Sequence, residues 1–519
     1  MLCSPGNARG VKHPTLKPVR RIPRAALSRK HLYQARTKIL LDKSRDSDTT
    51  LPPKATQSEI PRKAGEIMKT CVLCVMVVTV TLAGSQAHAG ESVWRVADRI
   101  DIDAVPSWFP VGFSLLTHRQ HQYAAYYDAN HQMTVGARTL AERHWQWVKL
   151  DSKVGWDSHN GVTMAADARG NLHLSGNMHC APLIYFRTET PGDITTFKRL
   201  PMTGKDENSC TYPHFFNDAA GRLVFQYRDG RSGNGRQLCN VYDVQSQTWS
   251  RLIQTPLFDG QGKRNAYPAG PIVGPDKRFH VFWVWRDTGD CATNNNLSYA
   301  RSRDLIHWET AAGEAVELPM TLATKGLIVD PIPSGGGIIN GGARLVFDSQ
   351  QRPLIAYHKS DANGNMQIYV ARFGEGEWTR RVITAWNQPV KFSGFGAMPF
   401  IGIAISAPQR AGDGVWAVGY RHRDYGAGMV AFSEATLEPV TAKFTPPPAD
   451  GPAELNRPEI QFEGIGVRTA GDLGESGDPN VRYVLKWDVL PPNHDRKMQT
   501  GAPRPPPAML RVFKLVRDP

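Results

Sequence analysis

The chain has 519 residues, of which 41% are hydrophobic and 21% charged, with a formal net charge of +14. That apolar content suits a large folded core and excludes a chain that is disordered throughout. The charge is uneven: residues 1–67 hold seven Lys and eight Arg against three Asp and two Glu, and with Lys69 they leave only +3 for everything after Ala89, too little to argue for nucleic-acid binding.

Residues 1–67 lack apolar periodicity and read as a basic extension, either disordered or upstream of the true start. From Met68-Lys69 an apolar run, Val72 to Ala83, leads into Gln86-Ala-His-Ala89. A basic start, a short apolar stretch and small residues at the end are the marks of a signal peptide over 68–89. This predicts translation from Met68, cleavage after Ala89, and a periplasmic or extracellular protein. The run is shorter than the roughly 20 residues of a membrane span, and no cysteine follows Leu82-Ala-Gly84 for lipid attachment, so no transmembrane anchor is expected.

Four cysteines follow the leader: Cys180, Cys210, Cys239 and Cys291. An oxidising compartment makes two disulfides compatible with this count, with Cys180–Cys210 as one pairing; the alternative is four buried free thiols. Their spacing matches no zinc finger or ribbon.

From Gly90 onward, short β-rich runs recur between Gly, Asp, Asn and Pro punctuation. The inner ones include Gln122 to Tyr127, Asn171 to Ser175, Arg222 to Arg228, Arg278 to Arg286, Pro353 to His358 and Val415 to Arg421. Most follow a turn such as Asp218-Ala-Ala-Gly221, Gly274-Pro-Asp276 or Asp348-Ser-Gln-Gln351. A second strand and then a Trp-containing one follow, at Trp249, Trp308 and Trp378. Four short strands repeated at this period predict an all-β fold, a seven-bladed β-propeller occupying 90–519 as a single domain. Six units are visible; the runs Val481 to Asp488 and Met509 to Leu515 are expected to pair with the Trp94 region and close the seventh, removing open strand edges. The Pro-rich pieces at 446–448, 491–492 and 505–507 read as extended connectors. Ser302-Arg-Asp304 through Trp308 reads as a structural turn, and His173 as a structural residue facing a neighbouring strand.

Between His159 and Arg228 the chain gathers His159-Asn160, Gly176-Asn-Met-His179, Tyr212-Pro213 and Tyr227-Arg-Asp-Gly230, followed by Ser232-Gly-Asn-Gly235. Two histidines, a tyrosine and an arginine at strand ends or in loops suit proton transfer beside an anion. In this order they resemble the BNR-repeat-like propellers of secreted polysaccharide lyases, the ulvan lyases and the L-rhamnose-α-1,4-D-glucuronate lyases, over roughly Trp94 to Val516. The resemblance implies that His159, His179, Tyr212 and Arg228 line one face of the propeller. It also implies β-elimination next to a glucuronic or iduronic acid, with an anionic polysaccharide as partner and no cofactor required.

Such an elimination needs the C6 carboxylate neutralised, the C5 proton removed and the departing oxygen protonated. Arg228 suits the first task, because a guanidinium stays charged and can fork onto a carboxylate. His159 and Tyr212 form the acid and base pair in undecided order, with Arg228 expected to bias the phenol toward phenolate. His179 would help bind the carboxylate and Asn160 would orient it. Other inner runs and loops offer Asn265, Tyr267, Trp285, Arg286, His358, Lys359 and Arg421 as sugar-binding candidates. His214 stands where many relatives have arginine, which bears on substrate detail. Each has a plainer reading as a packing or surface residue; Arg228 in particular could simply pair with Asp229, and its Arg-Asp pattern recurs at Arg286-Asp287 and Arg423-Asp424.

Two other functions fit the scaffold: a glycoside hydrolase, either sialidase- or rhamnosidase-like with several arginines or using two carboxylates among Asp157, Asp229, Asp287 and Asp330, or a non-catalytic sugar-binding propeller. No EF-hand-type calcium loop is present, so a structural metal is not legible, and a monomer is expected.

Overall fold

The computed structural model describes residues 94–441 and 451–517. The basic extension, the leader expected at 68–89 and the 446–448 prolines lie outside them. The described strands form seven antiparallel sheets of four to six strands, with three short 3-10 turns between them. The result is an all-β, propeller-like fold.

The inner strands explain why the sheets stack. Phe279–Arg286 is buried along its whole length, and His121–Tyr127 and Pro353–Ser360 nearly so. A strand buried on both faces must lie between two neighbours. Ile355 and Tyr357 accordingly share a core with Tyr267, Phe282 and Val284 of the preceding sheet, while Leu354 and Ala356 share one with Ile403 and Val418 of the next.

The punctuation before these strands is one local device used repeatedly. An Asp side chain accepts the backbone N–H groups two and four residues ahead, as at Asp128, Asp167, Asp218 and Asp348. Such Asx turns reverse the chain through contacts within five residues, so they leave a sequence signature. Ser302 and Asp304 likewise hold a turn, with Asp304 accepting from Ile306 and His307. His173 is fully buried, its Nδ1 2.8 Å from the Tyr185 hydroxyl.

One sheet joins the two ends of the described chain. Arg95–Val105 pairs antiparallel with Ala508–Val516, which pairs with Val481–Val489 and through it with Gly466–Gly471. The segment before Ala508 is therefore brought back across the molecule, where Asn493 to Asp495 meets the loop at 394–397 and the turn carrying His159.

Candidate functional site

The site grows from a turn and a bulge. The turn at 157–160 links Gln146–Lys153 to Val162–Ala166. Within it, Asp157 Oδ1 accepts both the backbone N–H of His159 at 2.9 Å and its Nδ1–H at 2.7 Å. The other oxygen, Oδ2, takes Nδ1–H of His179 at 2.5 Å. One carboxylate thus holds two imidazoles, which stack with centroids 4.2 Å apart.

Asp495 adds a second anchor, with Oδ2 3.3 Å from His159 Nδ1 and Oδ1 accepting the Ser158 N–H at 2.8 Å. Carboxylates on Nδ1 leave Nε2 as the atom through which each ring can exchange a proton. Burial pushes His159 down, but the hydrogen bonds to Asp157 and Asp495 outweigh it and lift the ring to about 9. Burial would raise Asp157, yet its two histidine partners hold it well below the usual carboxylate range.

The bulge lies in the strand Cys210–Asn217, whose pairing with Leu223–Arg231 slips between Thr211 and His214. Tyr212 takes the left-handed conformation there, with φ of 58°. A non-glycine residue in that region is strained, and bulges re-aim side chains. Here Tyr212 is swung out beside His159, with ring centroids 6.0 Å apart. Tyr212 keeps 38% of its surface exposed, but the protein packed around it, with Tyr267 adding to the effect, raises the phenol to about 12 against the opposing pull of Arg228 and Arg286. The expected bias toward phenolate is therefore overridden: desolvation outweighs the nearby cations.

Arg228 lies opposite Thr211, its guanidinium carbon 4.9 Å from the Tyr212 ring centroid. Only 1% of the residue is exposed. Its Nη2 reaches Thr211 Oγ1 at 3.0 Å and Cys180 Sγ at 3.3 Å, while Nε and Nη1 have no hydrogen-bond partner among the described residues. The neighbouring Asp229 pairs instead with Arg236. A buried cation with no counterion among the described residues is costly.

A cavity of about 680 Å³ opens beside the group. His159, Tyr212, His214 and Tyr267 line it, together with Gln226, Gln237, Asn340 and an apolar wall that includes Phe282, Val284 and Ile339. Tyr267 packs edge-on against Tyr212 at 6.3 Å, and its hydroxyl bonds Ser232 Oγ at 2.5 Å. Arg286 stacks over Tyr267 at 5.5 Å, its Nε donating to the carbonyls of Thr288 and Asp290 and its Nη2 to that of Gly289. Asn160 has a buried Oδ1 without a partner, and its carbonyl receives the Tyr127 hydroxyl.

Other candidates lie elsewhere. Asn265 is buried and donates to the Ala266 carbonyl, and Trp285 belongs to a hydrophobic core. His358 is fully enclosed against the Gly337 carbonyl, which makes it a structural residue. Lys359 is paired with Asp330 at 2.6 Å, and Arg421 sits exposed over Phe400.

The disulfides are a correction: Cys180, Cys210, Cys239 and Cys291 are all free thiols. Cys180 is exposed on the face of Thr211 and Arg228, whereas Cys210, adjacent to Thr211, is turned into a core with Phe225 and Trp249. Successive residues of a strand point to opposite faces, so these two sulfurs lie on opposite sides of one sheet. Cys239 and Cys291 are buried separately, Cys291 beside Met398.

Asp157, His159 and His179 bring potential metal-ligating atoms within 4.8 Å of one another. As arranged, hydrogen bonds join them: both Nδ1 atoms face the same carboxylate. The four hydrolase candidates each have partners of their own: Asp157 the two histidines, Asp229 Arg236, Asp287 Asn295, and Asp330 Lys359 and Tyr357. Sequence reasoning missed Asp495, which lies between two pieces read as connectors, and the polar cavity residues Gln226, Gln237 and Asn340. Nothing local marks them.

Fold and site together define an all-β, propeller-like protein with a cluster of two histidines, a tyrosine and an arginine beside a cavity. Residues 121–386 match the BNR repeat-containing family, and the chain belongs to it. Over 79 residues, 14% of this chain, it is 34% identical to the long isoform of an ulvan lyase from Pseudoalteromonas sp. (strain PLSV). Over 74 residues it is 34% identical to the corresponding isoform from Glaciecola sp. (strain KUL10). These matches span only 8% and 7% of the relatives' lengths. Among solved structures, that of the polysaccharide lyase Uly1 is similar with a TM-score of 0.53 and 12% identity, covering 82% of this chain and 99% of that one.

Proposed function

We propose that this protein is an exported polysaccharide lyase that cleaves next to a uronic acid by β-elimination, its seven sheets forming the seven blades of a propeller. The observation that carries the reading is Arg228, a guanidinium 1% exposed with two nitrogens unpartnered. A uronate C6 carboxylate is the anion that would complete it. Bound there, that carboxylate is neutralised as negative charge develops on the sugar, the term an elimination depends on most. The names of the similar lyases point the same way.

The charge states of the resting site support one order of proton transfer. His159 titrates at about 9 and Tyr212 at about 12. Burial keeps the Tyr212 phenol the weaker acid of the two, so neutral His159 with protonated Tyr212 is favoured over the reverse. His159, its Nδ1 fixed by Asp157 and Asp495, takes the C5 proton through Nε2, and Tyr212 gives its proton to the leaving glycosidic oxygen. His179 shares Asp157 with His159 and helps to bind the carboxylate. The bond from C4 to oxygen breaks, the C4–C5 double bond forms, and no cofactor is consumed.

The test is absorbance near 235 nm, where unsaturated uronates absorb, on the chain from Gly90 with ulvan, gum arabic and a glycosaminoglycan panel. A rise that is lost in Arg228→Ala and Tyr212→Phe supports the reading. Reducing sugar released without that absorbance would sink it in favour of hydrolysis.

A further inference from the structure

Phe395 is the most exposed large hydrophobic residue among those described, at 65%. An exposed ring on a loose loop would mean little, but this loop is tied at every turn. The N–H of Gly394 donates to Asp290 Oδ1, and its carbonyl accepts from Cys291. The Phe395 carbonyl is 2.8 Å from His494 Nδ1, Ala397 donates to Asp495 Oδ2, and His494 donates to the Ala397 carbonyl. Gly394 and Gly396 take the positive φ values that the tight path requires. One edge of the ring rests on Gly289, where a Cβ would lie 2.7 Å from Phe395 Cε1.

The loop is thus built to hold an aromatic face out to water, against the hydrophobic cost of leaving it there. Its anchor is shared with the chemistry, because the oxygen of Asp495 that receives Ala397 also faces His159 Nδ1. Five residues on, at most about 18 Å of chain, Phe400 is 42% exposed beneath the Arg421 guanidinium at 4.0 Å. Arg421 forms no salt bridge with any described residue.

Resting on the reading given above, the geometry points to a second binding site along 395–400. Phe395 stacks against a sugar ring of the polysaccharide beyond the bond being cleaved, and Arg421 over Phe400 receives an acidic group further along. An apolar ring and a free cation in series fit a chain of sugars bearing spaced negative charges, and they make this an enzyme that grips long substrates. Asp495 is the positioning residue that keeps platform and base in register.

The experiment compares wild type, Phe395→Ala and Phe395→Tyr on the polymer that is cleaved best and on the shortest oligosaccharide of it that is still cleaved. Phe395→Ala should raise KM for the polymer about tenfold, the scale of one aromatic contact, with kcat and the short substrate unchanged and Phe395→Tyr near wild type. An unchanged polymer KM, or an equal loss on both substrates with a lowered melting temperature, overturns the site. Electrophoresis in gels containing the same polymers separates this from the lyase reading, since it needs no turnover. If no polymer is cleaved, retardation of wild type that Phe395→Ala abolishes still supports the platform. Equal retardation of both, or none of either, overturns it.

Discussion

Arg228 and Arg286 lie toward the ends of inner strands of neighbouring sheets, each followed by an aspartate and each stacked over a tyrosine, yet their surroundings differ. Arg286 bonds three carbonyls of the loop that follows it through its Nε and Nη2. Arg228 has a threonine hydroxyl, a thiol and two empty nitrogens. In neither case does the following aspartate supply the ion pair, since Asp229 takes Arg236 and Asp287 takes Asn295 and Arg264. The third copy of the motif, Arg423-Asp424, is an exposed ion pair of the kind worth little. A repeated motif is therefore a repeated position in the fold, and the partners around it decide whether it holds a loop, decorates a surface or waits for a ligand.

The comparison can be broken by substitution. Arg228→Ala should lower kcat/KM by about a thousandfold or more, the scale of removing a group that stabilises developing charge, while the fold persists because no internal ion pair is lost. Arg286→Ala should do the opposite, lowering the melting temperature by several degrees through the orphaned carbonyls and costing less activity. If both variants lose the same stability and activity, the distinction fails. Tyr212→Phe should cost about a hundredfold or more in kcat, as for loss of a general acid, with substrate binding retained in a gel or calorimetric assay.

pH sharpens the same picture. With His159 at about 9 and Tyr212 at about 12, kcat/KM should climb about tenfold per pH unit through neutrality and level off above about 9. Stability should move the other way. The folded state raises His159 above its ordinary 6.5, so that contribution is complete below about 6.5 and disappears as pH rises through about 9. Urea midpoints measured from pH 6 to pH 10 should fall across that window, and fall less in Asp495→Asn, whose activity profile should also shift to lower pH. The smallest effect concerns the thiols. Native protein from Gly90 should expose Cys180 to a thiol reagent well before Cys210, Cys239 and Cys291, and prior reduction should change neither rate nor extent.

Much of the fold was legible because its signals are local. The buried run of Phe279–Arg286, the Asx turns at Asp167, Asp218 and Asp348, and the pairing of the last strand with Arg95–Val105 follow from patterns spanning a few residues or from the need to cover strand edges. The four proposed catalytic residues were legible as types at a spacing. Their protonation was not, because burial around Tyr212 is a property of the packed site and reverses the effect expected from Arg228 alone. The cysteines failed for a similar reason: closeness in sequence to site residues says nothing about which face of a strand a sulfur occupies.

By itself the sequence determined the β architecture, its repeat and the set of side chains available for proton transfer, because alternation and turn chemistry act over a few residues. Only the tertiary structure decided which charges are satisfied. It brought Asp495 from beside a proline-rich connector to His159, gave Asp229 to Arg236, and left Arg228 buried with no counterion among the described residues. Pairing of charges depends on which distant segments share a low-dielectric space, and no stretch of sequence contains that information.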